Sequence, residues 1–369
     1  MTTMKAIQAP SYGPSSILTL DDIPKPTIIP KNKILVAVEA VALAPGDVRV
    51  LSGKCKELNG PPSFPYIPGG DCCGKVVDMG DIDSAKVGYT VGDRIAARFV
   101  EGPRGMLCEY ALVSTKMTSK VPDSASSNDA AALASSATIA LQLSRRISKN
   151  EKVLILGAGG GLGSHLCQFL RLKGVTTIAG VSRDPERLLK EPISCTHALD
   201  YTKNDPFAVS SWDQYDDLLP FDTVVDLASG GWPKLLQKMH SKEDMVVKPA
   251  NQGGRFLATS IDTAWFELHS IWKALVEFDL KNRWRSFYSK YWYRTKLPAF
   301  AFTMNLSQDT SIMEETLRLA SENKIKACLD ERGPFSFDAL SVQQAFDIQE
   351  SCHVHGKLIV SVSADKILR

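Results

Sequence analysis

The feature that most constrains the fold is a glycine-rich segment near the middle of the chain. An apolar run, 153–156, leads into Gly157-Ala158-Gly159-Gly160-Gly161-Leu162-Gly163, and a helix-like stretch follows. Glycines let the backbone turn sharply and approach a pyrophosphate, whose charge is stabilised by the amides at a helix N-terminus. The segment therefore predicts a strand, a turn and a helix that bind a dinucleotide. A tight turn in an α/β domain that binds another ligand is the alternative.

The spacing within this loop is A-x-G-x-x-G, given by Ala158, Gly160 and Gly163, and differs from the strict G-x-G-x-x-G pattern. The prediction of dinucleotide binding therefore depends on the strand before the loop and the helix after it. The candidate cofactor-binding residues in the loop are Ala158, Gly159, Gly160, Gly161 and Leu162.

The end of the next predicted strand, 175–181, selects the cofactor. An acidic residue about 20 positions beyond the last glycine would bind the ribose hydroxyls of NAD. Here Ser182 and Arg183 occupy that place, and they can hydrogen-bond and pair with a 2′-phosphate. NADPH is therefore expected, although Asp184 would favour NAD if it pointed inward. Alternatively, Arg183 and Arg187 are solvated charges at the start of a helix.

The rest of the sequence divides into two regions with different predicted secondary structure. Ten of the 20 prolines precede residue 69, and residues 1–125 are predicted to form strands and turns. From about residue 126, strands alternate with helices, which is typical of parallel βαβ units. The expected fold class is α/β: a β-rich domain from 1–125 and 307–369, and a doubly wound parallel-sheet domain from 126–306.

Composition narrows the function classes. The 43 basic and 41 acidic side chains leave a net charge of +2, which gives no global attraction to nucleic acid. Eight cysteines without C-x-x-C spacing indicate a reducing compartment and no structural zinc. The start of the chain shows no signal segment. We expect an intracellular protein, either cytoplasmic or, if a transit segment was removed, within an organelle or at its membrane.

Several short motifs occur in a consistent order along the chain. They are Ala44-Pro45-Gly46-Asp47-Val48-Arg49, Pro65-Tyr66-Ile67-Pro68-Gly69-Gly70-Asp71, Val91-Gly92-Asp93-Arg94, Gly105-Met106-Leu107-Cys108-Glu109-Tyr110, Asp222-Thr223-Val224-Val225-Asp226 and Gly356-Lys357-Leu358-Ile359-Val360. Together with the glycine loop, they resemble the zinc-free, quinone oxidoreductase-like branch of the medium-chain dehydrogenase/reductase superfamily over nearly the whole chain.

The resemblance implies a GroES-like catalytic domain interrupted by a Rossmann domain, with the active site in the cleft between them. It also implies homodimers joined through the edge of the Rossmann sheet. Tyr201 falls where the family has a tyrosine near the adenosine phosphate, and ordinary strand-end packing is its alternative. Thr138 stands near the family's G-L-T-A segment and is a second candidate cofactor contact.

The departures from the family are informative. Zinc-dependent members have a cysteine where this chain has Ala44, and a His-Glu pair where it has Gly70 and Asp71. Catalytic zinc needs three protein ligands and an open position, so no metal is expected. His353 and His355 have the spacing of two ligands on a strand, but no third ligand is near in sequence.

Hydride transfer without metal requires little from side chains beyond alignment, exclusion of water and a donor for the developing oxyanion. Arg49, Tyr66, Thr138 or a water could be that donor. Asp47 completes the candidate catalytic set, with a structural hydrogen bond in its turn as the alternative. An aromatic ring packed among prolines is the alternative for Tyr66, and a solvent proton could suffice.

Residues 264–298 form an unusual insert, rich in aromatic and basic side chains. Leu268, Trp272, Leu275, Leu280, Trp284, Phe287 and Tyr291 recur at approximately helical spacing. Such a helix could lie on an anionic membrane, cover a site for a bulky apolar acceptor, or pack on the Rossmann domain or a dimer partner.

The resulting hypothesis is a zinc-independent, NADPH-dependent oxidoreductase that transfers hydride to a quinone or an α,β-unsaturated carbonyl. One alternative is a dinucleotide-binding adaptor or peripheral membrane protein with weak catalysis. The other is an enoyl-thioester reductase, which would need a channel for a pantetheine arm.

Overall fold

A computed structural model describes residues 2–56, 60–61, 63–99, 105–215, 217–241, 245–262, 270–303 and 309–362. The chain divides into two compact units, one of Met1–Ile139 with Ser307–Arg369 and the other of Ala140–Leu306. One unit is built on an antiparallel-rich sheet and the other on a parallel sheet. The α/β fold class expected from the sequence is confirmed.

The strands, in chain order, are β1 Thr3–Gln8, β2 Thr19–Pro24, β3 Lys33–Ala42, β4 Asp71–Asp78, β5 Arg94–Arg98, β6 Tyr110–Ser114, β7 Thr118–Lys120, β8 Lys152–Leu156, β9 Thr177–Ser182, β10 His197–Asp200, β11 Thr223–Asp226, β12 Arg255–Ala258, β13 Ala299–Phe302, β14 Phe335–Ser336 and β15 Ile359–Ser361. The α-helices are α1 Pro45–Leu51, α2 Ser84–Val87, α3 Ser127–Leu133, α4 Ser136–Ser144, α5 Gly161–Leu172, α6 Pro185–Leu189, α7 Gly231–Ser241, α8 Ile271–Leu275, α9 Lys281–Tyr291, α10 Thr310–Ser321 and α11 Ala339–Glu350. A π-helical turn, Val276–Leu280, joins α8 to α9.

The first unit is organised around β3, the buried apolar run that the sequence predicts as a strand. The sheet order is β14-β15-β3-β4-β5-β7, with β6 also paired to β3. Helix α3 packs against β3 and β4 through small buried side chains, among them Ala130 and Ala131. This packing brings residues beyond 125, up to Ile139, into the first unit.

The second unit is a six-stranded parallel sheet in the order β10-β9-β8-β11-β12-β13. Numbered from β8, this is the 3-2-1-4-5-6 order of the doubly wound dinucleotide-binding fold. The order reverses between β8 and β11, and ligands bind such sheets beyond the carboxyl ends of the strands at that point. Strands β10 and β13 have four residues each and are not predicted from the sequence.

Aromatic side chains fill the core on one face of this sheet. The ring of Trp232 meets Phe256 and Phe300 edge-on, with centroids 5.1 and 4.8 Å apart. Its indole nitrogen donates to the Tyr288 hydroxyl over 2.9 Å. This hydrogen bond ties helix α9 to the core, because an indole N–H that is buried requires an acceptor.

The aromatic insert is helical from Ile271 to Tyr291. Leu268, together with the rest of 263–269, lies outside the described residues. Helix α9 buries Asn282, Arg285 and Ser289, and Arg285 donates two hydrogen bonds to the carboxylate of Asp262, over 2.8 and 2.6 Å. The helix therefore meets the sheet with its polar side.

Asp262 forms ion pairs with Lys281 and Arg285. We expect these pairs to make a contribution to stability that is lost in acid. Burial alone would raise the pKa of Asp262, but hydrogen bonds from Arg285 and Lys281 hold that pKa below its usual range. A lowered folded-state pKa contributes stability above the ordinary carboxyl pKa, and this is lost as pH falls through the folded value. We expect Asp262→Asn to lower the free energy of unfolding by about 2 kcal/mol near neutral pH. The difference from wild type should disappear in acid.

Urea unfolding monitored by circular dichroism between pH 7 and pH 3 measures this effect. Asp279→Asn is the matched control: it removes a pair with Arg283 at 3.5 Å whose side chains are 46% and 77% exposed, and should change little. An Asp262→Asn loss that is constant across the pH range would contradict the assignment.

Candidate functional site

The glycine loop lies directly after β8, at the carboxyl edge of the parallel sheet. Gly157 has a φ of +81°, so this residue makes the turn out of the strand. The amides of Gly157 and Ala158 both donate to the carbonyl of Val181, over 3.2 and 3.1 Å. The loop is therefore fastened to the end of β9.

Two of the glycines differ in what surrounds them. A Cβ on Gly163 would stand 2.4 Å from the carbonyl oxygen of Gly157 and 2.6 Å from the Cα of Ala158, so the first turn of α5 packs on the loop backbone. A Cβ on Gly160 would meet only the Gly157 oxygen, at 3.8 Å, and has open space. These are the two roles of the later glycines in a dinucleotide loop, close helix packing and approach to pyrophosphate.

The start of α5 is suited to an anion. Gly160 caps the helix without a side-chain hydrogen bond, and the first turn holds no acidic residue. The first amides of a helix have no acceptor within it; here they belong to Gly161, Leu162 and Gly163. Their positive potential favours a phosphate.

A polar rim stands beside the loop at the end of β9. The guanidinium of Arg187 donates to the carbonyl of Gly159 over 3.1 Å, and a Cβ on Gly159 would lie 2.9 Å from Oγ of Ser182. Arg183 is exposed. Ser182 and Arg187 therefore border the loop. Ser182 is a residue predicted from sequence to bind the cofactor, whereas Arg187 was predicted only as a solvated charge.

Asp184 is placed as the N-cap of α6. One of its carboxylate oxygens accepts from the amide of Arg187 over 3.3 Å, and Oγ of Ser182 accepts from the Asp184 amide over 3.2 Å. The carboxylate that could favour NAD is thus engaged by the first turn of the short helix.

Tyr201 follows β10 and is 46% exposed. Its amide donates to the carbonyl of Ser182 over 3.3 Å, so the ring belongs to the same edge of the sheet as the rim. A ring this exposed is not packed into the strand end.

The ends of β11 and β12 add polar groups that are not among the site residues predicted from the sequence. Asp226 is buried and accepts from the amides of Gly231, over 2.8 Å, and Ala228, over 3.1 Å; burial raises the pKa of its carboxyl group, against these hydrogen bonds. The hydroxyls of Ser229 and Ser260 share a hydrogen bond of 2.6 Å. These residues follow neighbouring parallel strands at their carboxyl ends, and that position in the sequence could have identified them.

The candidate catalytic residues lie in the first unit. Asp47 is buried in α1, and its carboxylate accepts from the amide of Ala44 over 2.8 Å, a helix-capping contact. Tyr66 is 4% exposed and its ring packs edge-on to that of Phe64. Asp47 therefore makes a structural hydrogen bond within its turn, and the Tyr66 ring is buried against the ring of Phe64.

Arg49 and Thr138 differ in solvent exposure. Arg49 is partly exposed on α1; burial raises the pKa of the neighbouring Cys55 thiol, and the charge of Arg49 opposes that rise. Thr138 is fully buried, and its hydroxyl donates to the carbonyl of Ala134 over 2.8 Å. The structure therefore offers no exposed Thr138 hydroxyl to a cofactor or a substrate.

Among the described residues, no group of three or more His, Cys, Asp or Glu side chains is arranged to hold a metal ion. Asp71, at one of the positions of zinc ligands in the family, is buried, and its carboxylate pairs with Lys357 at 3.4 Å. Ala44 supplies no ligand atom.

Comparison with known proteins agrees with this geometry. Residues 30–123 match the alcohol dehydrogenase GroES-like domain. The chain is 26% identical over 365 residues to the 2-methylene-furan-3-one reductase of Solanum lycopersicum, and 25% identical over 364 residues to the NADPH-dependent alkenal/one oxidoreductase, chloroplastic, of Arabidopsis thaliana. Each alignment covers 97% of this chain and 79% of the relative.

The solved quinone oxidoreductase from Coxiella burnetii has the same fold. It superposes with a TM-score of 0.72 at 21% identity, over 98% of this chain and 100% of that one. The sheet order and the glycine loop define a dinucleotide-binding fold joined to a GroES-like domain. Over nearly its whole length the chain is similar to quinone and alkenal oxidoreductases of the medium-chain dehydrogenase/reductase superfamily.

Proposed function

We propose that this protein binds NADPH and catalyses hydride transfer to a quinone or an α,β-unsaturated carbonyl. The observation that carries the proposal is the glycine loop, with free space at Gly160, uncapped amides at the start of α5, and Ser182 and Arg187 at its rim. The relatives' names, an alkenal/one oxidoreductase and a furanone reductase, support the class of acceptor.

Each part of the loop has a distinct task in this proposal. The backbone of Ala158–Leu162 lies against the pyrophosphate, whose charge the amides at the start of α5 stabilise. Ser182, Arg183 and Arg187 bind the 2′-phosphate, since a hydroxyl and two guanidinium groups donate to its oxygens. Tyr201 covers the adenosine side.

Reduced nicotinamide, when bound, supplies the hydride. The chain's own contribution is to orient the acceptor, exclude water and donate to the oxygen on which charge develops. Of the three side chains predicted as donors, only Arg49 is both charged and partly exposed, and we assign the donor role to it. Asp47 supports Arg49 by capping the helix that carries it.

We propose that the reaction needs no zinc. Ala44 has no ligand atom, and the carboxylate of Asp71 is paired with the buried ammonium of Lys357. Lys357 also donates to the carbonyl of Leu43 over 2.7 Å. These contacts serve the local structure of the strands.

We further propose a homodimer in a compartment with NADPH. Strand β13 ends the described parallel sheet beside β12, and a second copy could continue the sheet there. Relatives include proteins named as chloroplastic and mitochondrial, which supports an organelle as one setting. No described helix is long and apolar enough to cross a membrane.

The test follows reduced-nicotinamide absorbance with purified protein, each of NADPH and NADH, and a panel of quinones and enones. We expect NADPH-selective oxidation, and Arg49→Ala should lower kcat/KM by about a hundredfold, because a lost oxyanion donor costs about 3 kcal/mol. Lys54→Ala, on the loop after α1, is the matched control.

Two outcomes separate the alternatives. NADPH binding without oxidation by any acceptor would favour the adaptor. Turnover limited to enoyl thioesters would identify the enoyl-thioester reductase.

A further inference from the structure

The outward side of helix α9, together with the residue before it, Leu280, carries a continuous stripe of large apolar side chains. Leu280, Trp284, Phe287 and Tyr291 recur at steps of four, three and four, which places them within an arc of about 60°. Trp284 is 53% exposed and Tyr291 61%. With Trp292, which is 63% exposed and ends the helix, we call these residues the outer stripe.

The opposite side of the same helix is polar and buried. Asn282, Arg285 and Ser289 lie about 160° from the centre of the stripe. Arg285 is held by Asp262, and the hydroxyl of Ser289 accepts from the amide of Phe300 over 3.0 Å. A helix at a protein surface in water normally shows the reverse arrangement.

These buried contacts fix the orientation of the helix. Turning the outer stripe inward would break the Arg285 pair and leave a buried charge without its partner, which is strongly destabilising. It would also remove the Trp232–Tyr288 hydrogen bond. Exposure of the stripe therefore follows from the way the helix is attached.

The rings of the stripe form one patch. The centroid of Trp292 lies 5.3 Å from that of Trp284 and 5.5 Å from that of Phe287, and the Phe287 and Tyr291 centroids are 5.1 Å apart. A contiguous exposed apolar patch marks an interaction surface, in contrast to single exposed side chains.

Basic side chains are frequent in the segment that carries the patch. Lys281, Arg283 and Arg285 form ion pairs with Asp262, Glu277 or Asp279. A second set is exposed and forms no ion pair with any residue the structure describes; it consists of Lys273, Lys290, Arg294 and Lys296. We call this set the basic rim. An occupant of the patch must therefore carry negative charge at its edge.

This charge selects the occupant. A second copy docked through a two-fold axis would bring basic rim against basic rim, which is repulsive. An anionic bilayer offers hydrocarbon beneath a layer of phosphate and carboxylate. Tryptophan and tyrosine favour that boundary, because one end of each ring system is apolar and the other donates hydrogen bonds, and nearby lysines and arginines add electrostatic attraction.

We propose that the outer stripe and basic rim bind the surface of an anionic phospholipid membrane, with helix α9 in the plane of the headgroups. This binding is independent of hydride transfer. Its features are those of an interfacial helix, which lies on a membrane with its apolar face buried at the acyl boundary.

Flotation of the full chain with vesicles tests the proposal. We expect binding to phosphatidylcholine vesicles containing phosphatidylserine, and little binding to phosphatidylcholine alone. The stripe variant, Trp284→Ser with Tyr291→Ser and Trp292→Ser, should lose at least about tenfold in partition coefficient, given the apolar area removed. Replacing any one lysine or arginine of the basic rim by glutamine should lower the partition coefficient about fivefold. Added salt should weaken binding of the wild-type protein.

The matched control is Ile28→Ser with Leu340→Ser, which removes two exposed apolar side chains, 82% and 77% exposed, from the first unit. It should bind like wild type. Circular dichroism and light scattering check the fold and oligomeric state of every variant.

Three results would overturn the proposal. One is absence of binding to anionic vesicles by a folded wild-type protein. Another is equal binding by the wild type and a folded stripe variant. The third is conversion of an oligomer to monomers by the stripe variant when the wild-type protein binds no vesicles, which would assign the patch to a second copy of the chain.

Discussion

Gly163→Val is expected to abolish dinucleotide binding and to destabilise the parallel-sheet unit by about 3 kcal/mol. Even the first added carbon would stand 2.4 Å from the carbonyl oxygen of Gly157 and 2.6 Å from the Cα of Ala158. Both are backbone atoms, so no side chain can move aside. The start of α5 would have to shift away from the loop that it helps to form.

Gly160→Ala is the matched comparison, because its Cβ has open space around it. Its melting temperature should stay close to that of wild type, while NADPH affinity falls, since the methyl group occupies the approach to the pyrophosphate. Thermal unfolding and fluorescence titration with NADPH separate the two effects. Equal melting temperatures for Gly163→Val and wild type would show that the packing at this glycine is not as described.

Arg187→Ala is expected to weaken NADPH binding by about tenfold or more while leaving NADH binding nearly unchanged. A charge-assisted hydrogen bond contributes about 1.5–3 kcal/mol, and NADH has no 2′-phosphate to receive it. A guanidinium carries five N–H donors, so the contact with Gly159 uses only part of its capacity. Arg183→Ala should act in the same direction.

Isothermal titration with each nucleotide measures this selectivity, and Lys190→Ala is the control, because Lys190 is an exposed cation at the end of the same helix. Arg187→Lys keeps the charge without the planar fork and should recover part of the preference. Equal losses for NADPH and NADH would mean that Arg187 serves the loop structure and does not select the phosphate.

The sequence was sufficient for the parts of the fold that local pattern controls. The apolar run 33–42 is β3, and the strand, glycine turn and helix around Gly157 are where the pattern predicts them. Strand β13, which follows the aromatic insert, was not identified from the sequence. Its place in the sheet depends on pairing with β12, which is distant in sequence.

The features that the sequence did not predict depend on contacts between residues that are distant in the chain. Periodicity revealed the apolar stripe of the insert, but the side that faces the sheet is decided by the partners of Arg285 and Ser289, which are Asp262 and Phe300. Arg187 looked like a solvated charge because its contact with Gly159 spans 28 residues. The buried hydroxyl of Thr138, which bonds to Ala134, is likewise invisible in a motif comparison.

The N-cap at Asp184 couples cofactor choice to the integrity of a helix. Its carboxylate accepts from the amide of Arg187, and that same residue extends its guanidinium over the loop. A redesign toward NAD that freed this carboxylate for a ribose would therefore also disturb the position of the arginine and the first turn of α6. A designer would do better to introduce a new acidic side chain at Ser182 and leave the existing cap in place.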